Sequence, residues 1–66
     1  MRIHLNGEER EFAVGTTLSA LVQSLELPIE GVAVALNRQV VPRAQWPSQE
    51  LQSGDRVEIV RAVGGG

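Results

Sequence analysis

The sequence predicts an α+β domain: a mixed sheet of four to five strands with one helix packed across one face. Three observations lead there. An Asn6-Gly7 pair divides two strand-like runs near the N-terminus. One stripe of apolar residues at helical spacing follows, formed by Leu18, Leu21, Val22 and Leu25. After it the chain returns to short apolar runs broken by polar turns. At 66 residues this is one small domain, near the lower limit for a self-supporting core.

Arg2-Ile3-His4-Leu5 alternates with period two, which places Ile3 and Leu5 on one face. Asn6-Gly7 is a strong hairpin signal, because both central positions of a type I′ turn need positive φ. Glu9 to Val14 reads as the return strand, with Phe12 and Val14 turned inward. Thr16 or Thr17 supplies a hydroxyl to cap the helix. Ser19, Gln23, Ser24 and Glu26 occupy the helix's polar side. The helix should end before Pro28, since the residue preceding a proline disfavours helical ψ.

Val32 to Leu36 is the third strand and Gln39-Val40-Val41 a short fourth, joined by a polar Asn37-Arg38 turn. Pro42 to Pro47, which holds Trp46, is too proline-punctuated for a long helix and reads as a single 3₁₀ turn. Ser53-Gly54-Asp55 is a further turn. Val57 and Ile59 form the inward face of the last strand. The long connection through the helix lets that strand lie parallel to the first, in the middle of the sheet. The expected core is Ile3, Leu5, Phe12, Leu18, Leu21, Val22, Leu25, Val34, Leu36, Val57 and Ile59, each contributing roughly 1.5–3 kcal/mol on burial. Trp46 is expected to anchor to it.

Composition removes several function classes. The apolar fraction of 42% is that of a globular chain. Net charge is −2, so no basic surface for nucleic acid is expected. No apolar run approaches a membrane span, and Met1-Arg2-Ile3-His4 enters strand-like sequence directly, unlike a signal peptide. The expected compartment is the cytoplasm. There is no Cys, hence no disulfide, thiolate metal site or cysteine nucleophile. There is no Lys, hence no Walker A loop and no Schiff-base amine.

The body offers little chemistry. His4, the only histidine, should point outward between two inward residues, with no nucleophile marked beside it. Glu8, Glu9 and Glu11 read as a solvated acidic edge that discourages strand-to-strand aggregation. No catalytic residue and no metal site are expected. Val60 and Ala35 should face outward and, with Val63, form a small apolar patch for partner docking. The distinctive group is at the end. Val63-Gly64-Gly65-Gly66 follows the last strand, so residues 1–63 are read as the folded domain and 64–66 as a flexible glycine tail. Three extended residues reach about 10 Å. Without Cβ atoms, Gly64 and Gly65 can thread a narrow partner cleft and present a Gly66 carboxylate there.

These residues carry a resemblance. Ile3-His4-Leu5-Asn6-Gly7, Thr16-Thr17-Leu18, the stretch from Ala35 to Trp46 (Ala-Leu-Asn-Arg-Gln-Val-Val-Pro-Arg-Ala-Gln-Trp) and Gly54-Asp55-Arg56-Val57-Glu58-Ile59-Val60 before the glycines span essentially the whole chain. The chain resembles the ubiquitin-like β-grasp sulfur carriers, most closely those of thiamine thiazole biosynthesis. The resemblance implies that an E1-like adenylyltransferase uses ATP to adenylate the Gly66 carboxylate. Sulfur from a cysteine desulfurase or a persulfide protein then converts it to a thiocarboxylate, and thiazole synthase receives that sulfur. The chain would be a carrier and co-substrate with no stably bound cofactor. The missing Cys fits, because sulfur would ride on the chain end. Two other readings share the Gly-Gly ending: the small subunit of molybdopterin synthase and a ubiquitin-like protein modifier.

Overall fold

The computed structural model describes residues 1–27 and 30–61. The elements run β1 (Arg2–Leu5), β2 (Glu8–Glu11), α1 (Leu18–Ser24), β3 (Val32–Leu36), β4 (Gln39–Val41), a 3₁₀ segment (Arg43–Ser48) and β5 (Arg56–Arg61). The described strands form one sheet in the order β2-β1-β5-β3-β4. β5 lies parallel to β1 and antiparallel to β3, in the central position expected. Both hairpins, β1–β2 and β3–β4, are antiparallel.

Both hairpins are closed by two residues at positive φ, Asn6 and Gly7 (49° and 84°) and Asn37 and Arg38 (50° and 71°). These are the signs a type I′ turn requires. Thr17 caps α1, its Oγ1 accepting from the Ala20 N–H at 3.1 Å. Glu26 takes a left-handed conformation just past the helix (φ 57°), so the helix stops well short of Pro28. Pro28 itself lies outside the described residues.

Alternation along the strands builds the core. Ile3, Leu5, Val34, Val57 and Ile59 face Leu18, Leu21 and Val22 of the helix, and Trp46 and Leu51 close the side. Phe12, Leu25 and Leu36 are half-buried against this cluster rather than inside it. Trp46 is 4% exposed, and its Nε1–H donates to the Val41 carbonyl at 2.9 Å. Its polar atom is thus satisfied where the ring is buried.

Two expectations are corrected, and one buried residue went unforeseen. The second strand ends at Glu11 rather than Val14, and Val14 is 87% exposed. The Ala13 carbonyl accepts from the Thr16 N–H and hydroxyl, at 3.1 and 2.6 Å, which turns the chain before Val14 can reach the core. The 3₁₀ segment covers six residues, more than a single turn. Leu51 is buried although no periodicity marks it. Its N–H donates to the Thr16 carbonyl at 2.9 Å, and the Leu18 N–H donates to the Gln49 carbonyl at 2.9 Å. Residues 49–51 therefore run alongside the helix entrance and carry Leu51 inward.

Each hairpin asparagine also bonds β5. On the β1 side, the Asn6 N–H reaches the Val57 carbonyl at 2.9 Å. The Ile59 N–H then donates to Asn6 Oδ1 at 2.8 Å, and Asn6 Nδ2 donates to the Ile59 carbonyl at 3.4 Å. On the β3 side, the Asn37 N–H donates to the Arg56 carbonyl at 2.8 Å and the Arg56 N–H to Asn37 Oδ1 at 2.9 Å. Each amide continues the ladder where its own strand turns away.

Asn6→Gly retains a residue suited to positive φ and removes only the amide. It should cost about 1–3 kcal/mol, because the Ile59 N–H loses its partner. Val14→Ser should stay within about 0.5 kcal/mol of the parent. Urea unfolding followed through the single Trp46 reports both.

Candidate functional site

One face of the sheet carries the helix; the other is open. The open face takes Glu9 and Glu11 from β2, Arg2 and His4 from β1, Arg56, Glu58 and Val60 from β5, Ala33 and Ala35 from β3, and Val40 from β4. The registers fix who meets whom. Val60 stands opposite Ala33, and Ala35 stands between Glu58 on β5 and Val40 on β4.

Val60 and Ala35 thus share the open face, as expected, on adjacent strands as diagonal neighbours. Val60 is 63% exposed and Ala35 half-buried. Ala33 and Val40 extend the same apolar strip, and the sequence reading missed both. Val40 is 75% exposed. The signal was available: a two-residue turn at Asn37-Arg38 forces Leu36 opposite Gln39 and hence Ala35 opposite Val40. Val63, Gly64, Gly65 and Gly66, and with them the expected domain boundary, lie outside the described residues.

Charge is distributed unevenly over the two faces of the sheet, with Glu8, Arg10 and Arg61 on the helix side by register. Arg2 pairs with Glu9 (3.4 Å) and Glu11 (3.5 Å), and Arg10 approaches Glu8 (3.8 Å). These are exposed pairs, worth about 0–1 kcal/mol each. They compensate the acidic edge of β2, all of whose residues are exposed. Arg38, Arg56 and Arg61 make no ion pair among the described residues.

The described residues assemble no catalytic constellation. No group of three His, Asp or Glu among them could hold a metal ion. The His4 ring is half-buried and makes no hydrogen bond among the described residues. Two surface depressions among the described residues are open and polar, one lined by His4, Asn37, Arg38, Gly54 and Arg56, the other by Arg2, Glu9, Arg10 and Glu11. What the geometry presents is an open sheet face with an exposed apolar strip, whose central strand ends at Arg61, five residues before Gly66.

Residues 3–66 match the model of the ThiS family. The sulfur carrier protein ThiS of Escherichia coli (strain K12) is 35% identical over 66 residues, covering 100% of both chains. A protein named thiazole synthase from Magnetococcus marinus is 44% identical over 66 residues. The chain spans only 20% of that relative's length. The crystal structure of the thiamine biosynthesis protein ThiS from Geobacter metallireducens superposes with a TM-score of 0.87 at 29% identity, over 100% of both chains. The architecture is therefore the ubiquitin-like β-grasp. With a family match over nearly its whole length and a full-length relative of the same size, the chain belongs to the ThiS family.

Proposed function

We propose that this chain is a sulfur carrier of thiamine biosynthesis, with the Gly66 carboxylate as the carrying group. The observation that carries this reading is the end-to-end likeness to the E. coli sulfur carrier protein. A chain without Cys has no thiol of its own on which to hold sulfur. The same family match favours thiamine over molybdopterin supply.

The chemistry follows from the electrophile. A carboxylate resists nucleophilic attack because its charge is delocalised. An E1-like adenylyltransferase joins it to the AMP part of ATP and releases pyrophosphate, giving an acyl-adenylate with a good leaving group. A persulfide sulfur from a desulfurase or persulfide protein attacks the Gly66 carbonyl and AMP departs. A thiol then cleaves the S–S bond and leaves the thiocarboxylate. Gly64 and Gly65 let the tail pass through narrow clefts in both partners. ATP acts in the partner's site, and the carrier itself binds no cofactor and catalyses nothing.

Thiazole synthase is the proposed acceptor. A protein of that name contains a segment like this chain within a fifth of its own length, as expected if carrier and synthase work together. The apolar strip of Val60, Ala33, Ala35 and Val40 is the proposed seat for these partners, with Val63, outside the described residues, proposed as a further contact. The proposed setting is the cytoplasm. Among the described residues no helix is long and apolar enough to cross a membrane.

Incubation with ATP, the cognate adenylyltransferase and a persulfide donor should replace one oxygen by sulfur at Gly66. Intact mass with fragmentation reads this directly. No exchange with a partner shown to be active, or conjugation to lysine instead, contradicts the reading. Deleting Gly66 should abolish the exchange and leave the unfolding midpoint unchanged, since the core of described residues is complete without it.

A further inference from the structure

The depression lined by His4, Asn37, Arg38, Gly54 and Arg56 has no part in the chemistry proposed for the tail. It measures about 300 Å³ and is open to solvent. It gathers residues from four places: β1, the β3–β4 turn, the turn before β5, and the first residue of β5. Arg56 opens β5 and Arg61 closes it. Five steps at about 3.3 Å put the depression roughly 16 Å from the strand end that leads to Gly66.

One feature points to an anion, and a second marks the turn that carries Arg38 as under constraint. The first is charge. Arg38 and Arg56 lack ion-pair partners among the described residues, whereas Arg2 and Arg10 at the other side of the sheet are paired. The adjacent Asp55 carboxylate is already engaged, Oδ1 by Asn37 Nδ2 at 3.1 Å and Oδ2 by the Gln52 N–H at 2.8 Å. Two other acids stand near the depression on the open face: Glu58, one position further along that face than Arg56 and opposite Ala35, and Glu9, opposite His4 and paired with Arg2 at 3.4 Å. The second feature is backbone strain. Arg38 sits at φ 71°, in the turn position where glycine is preferred. A long side chain held in that region costs stability, and such strain concentrates at functional sites. Asn37 fixes the turn against β5 through the Arg56 N–H and so sets where the Arg38 side chain starts.

We propose that this depression is an anion-recognition site that takes a carboxylate of the protein seated across the open sheet face. It rests on the docking reading above and adds a second, electrostatic anchor to it. Arg56 and Val60 lie on the same face of the same strand, so one partner surface can reach both. The partner it fits presents an apolar contact to the Val60–Val40 strip and an Asp or Glu to Arg38 and Arg56. Arginine suits that role because its planar fork pairs with a carboxylate through two hydrogen bonds. His4 and the Asn37 turn complete the polar wall.

The test measures binding of the full chain to purified thiazole synthase of the same organism by calorimetry, at low and at high salt. The parent is compared with Arg38→Gly/Arg56→Gln and with Val60→Asp, each checked for folding by Trp46 emission. The double variant should bind about tenfold or more weaker at low salt, with the gap narrowing at high salt. Arg38→Gly alone should be at least as stable as the parent, because glycine suits the turn. Unchanged affinity in the double variant with weakened Val60→Asp overturns the anion site and leaves the docking face standing. Unchanged affinity in Val60→Asp removes the docking reading, and this proposal falls with it. A loss equal at both salts also overturns it. So does inorganic phosphate saturating the amide signals of residues 37, 38, 54 and 56 while the double variant binds the synthase normally; that result marks a free-anion site.

Discussion

The fold depends on seating the last strand in the middle of a sheet whose other strands precede it. β5 needs bonding partners on both edges along its whole length, yet both neighbours end in tight turns before its ladder is complete. Asn6 and Asn37 resolve this. Each takes the left-handed conformation its turn requires, and each turns its side-chain oxygen to a β5 N–H, Asn6 also donating its Nδ2 to the Ile59 carbonyl. Asparagine is suited to both tasks at once, since it tolerates positive φ and carries a donor and an acceptor. Glycine would satisfy only the turn.

That constraint fixes everything the strand carries. Once Ile59 is pinned through Asn6 and Arg56 through Asn37, the alternation of β5 has one register. Val57 and Ile59 enter the core, while Arg56, Glu58 and Val60 face out. Core, open face and the chain's path toward Gly66 thus share one strand. The carrier role proposed above draws on this arrangement, since the strand that fixes the open face is also the one that precedes the glycines.

Much of this was legible in the sequence, and for physical reasons. Asn6-Gly7 announces its turn, the Leu18–Leu25 stripe its helix, and Val57 and Ile59 their alternation, because each signal is local. The exposed patch was half legible: Val60 and Ala35 follow from alternation within a strand, whereas Ala33 and Val40 need the pairing between strands. Val14 looked inward because alternation was extended past Glu11, where hydrogen bonds from Thr16 to the Ala13 carbonyl take the chain away. Leu51 gave no signal, since its burial comes from a bond to Thr16 thirty-five residues earlier. The asparagine clamps were hidden for the same reason: turn chemistry predicts those residues, but only the fold shows what their amides reach.

The most direct test of this constraint is native-state hydrogen exchange on β5. The N–H groups of Ile59 and Arg56 are bonded to side chains rather than to a neighbouring strand's backbone. If the amides act as true ladder members, both N–H groups exchange only through global unfolding, with the same free energy as the core strand residues. Exchange of either one through local opening, well below that free energy, would contradict the account.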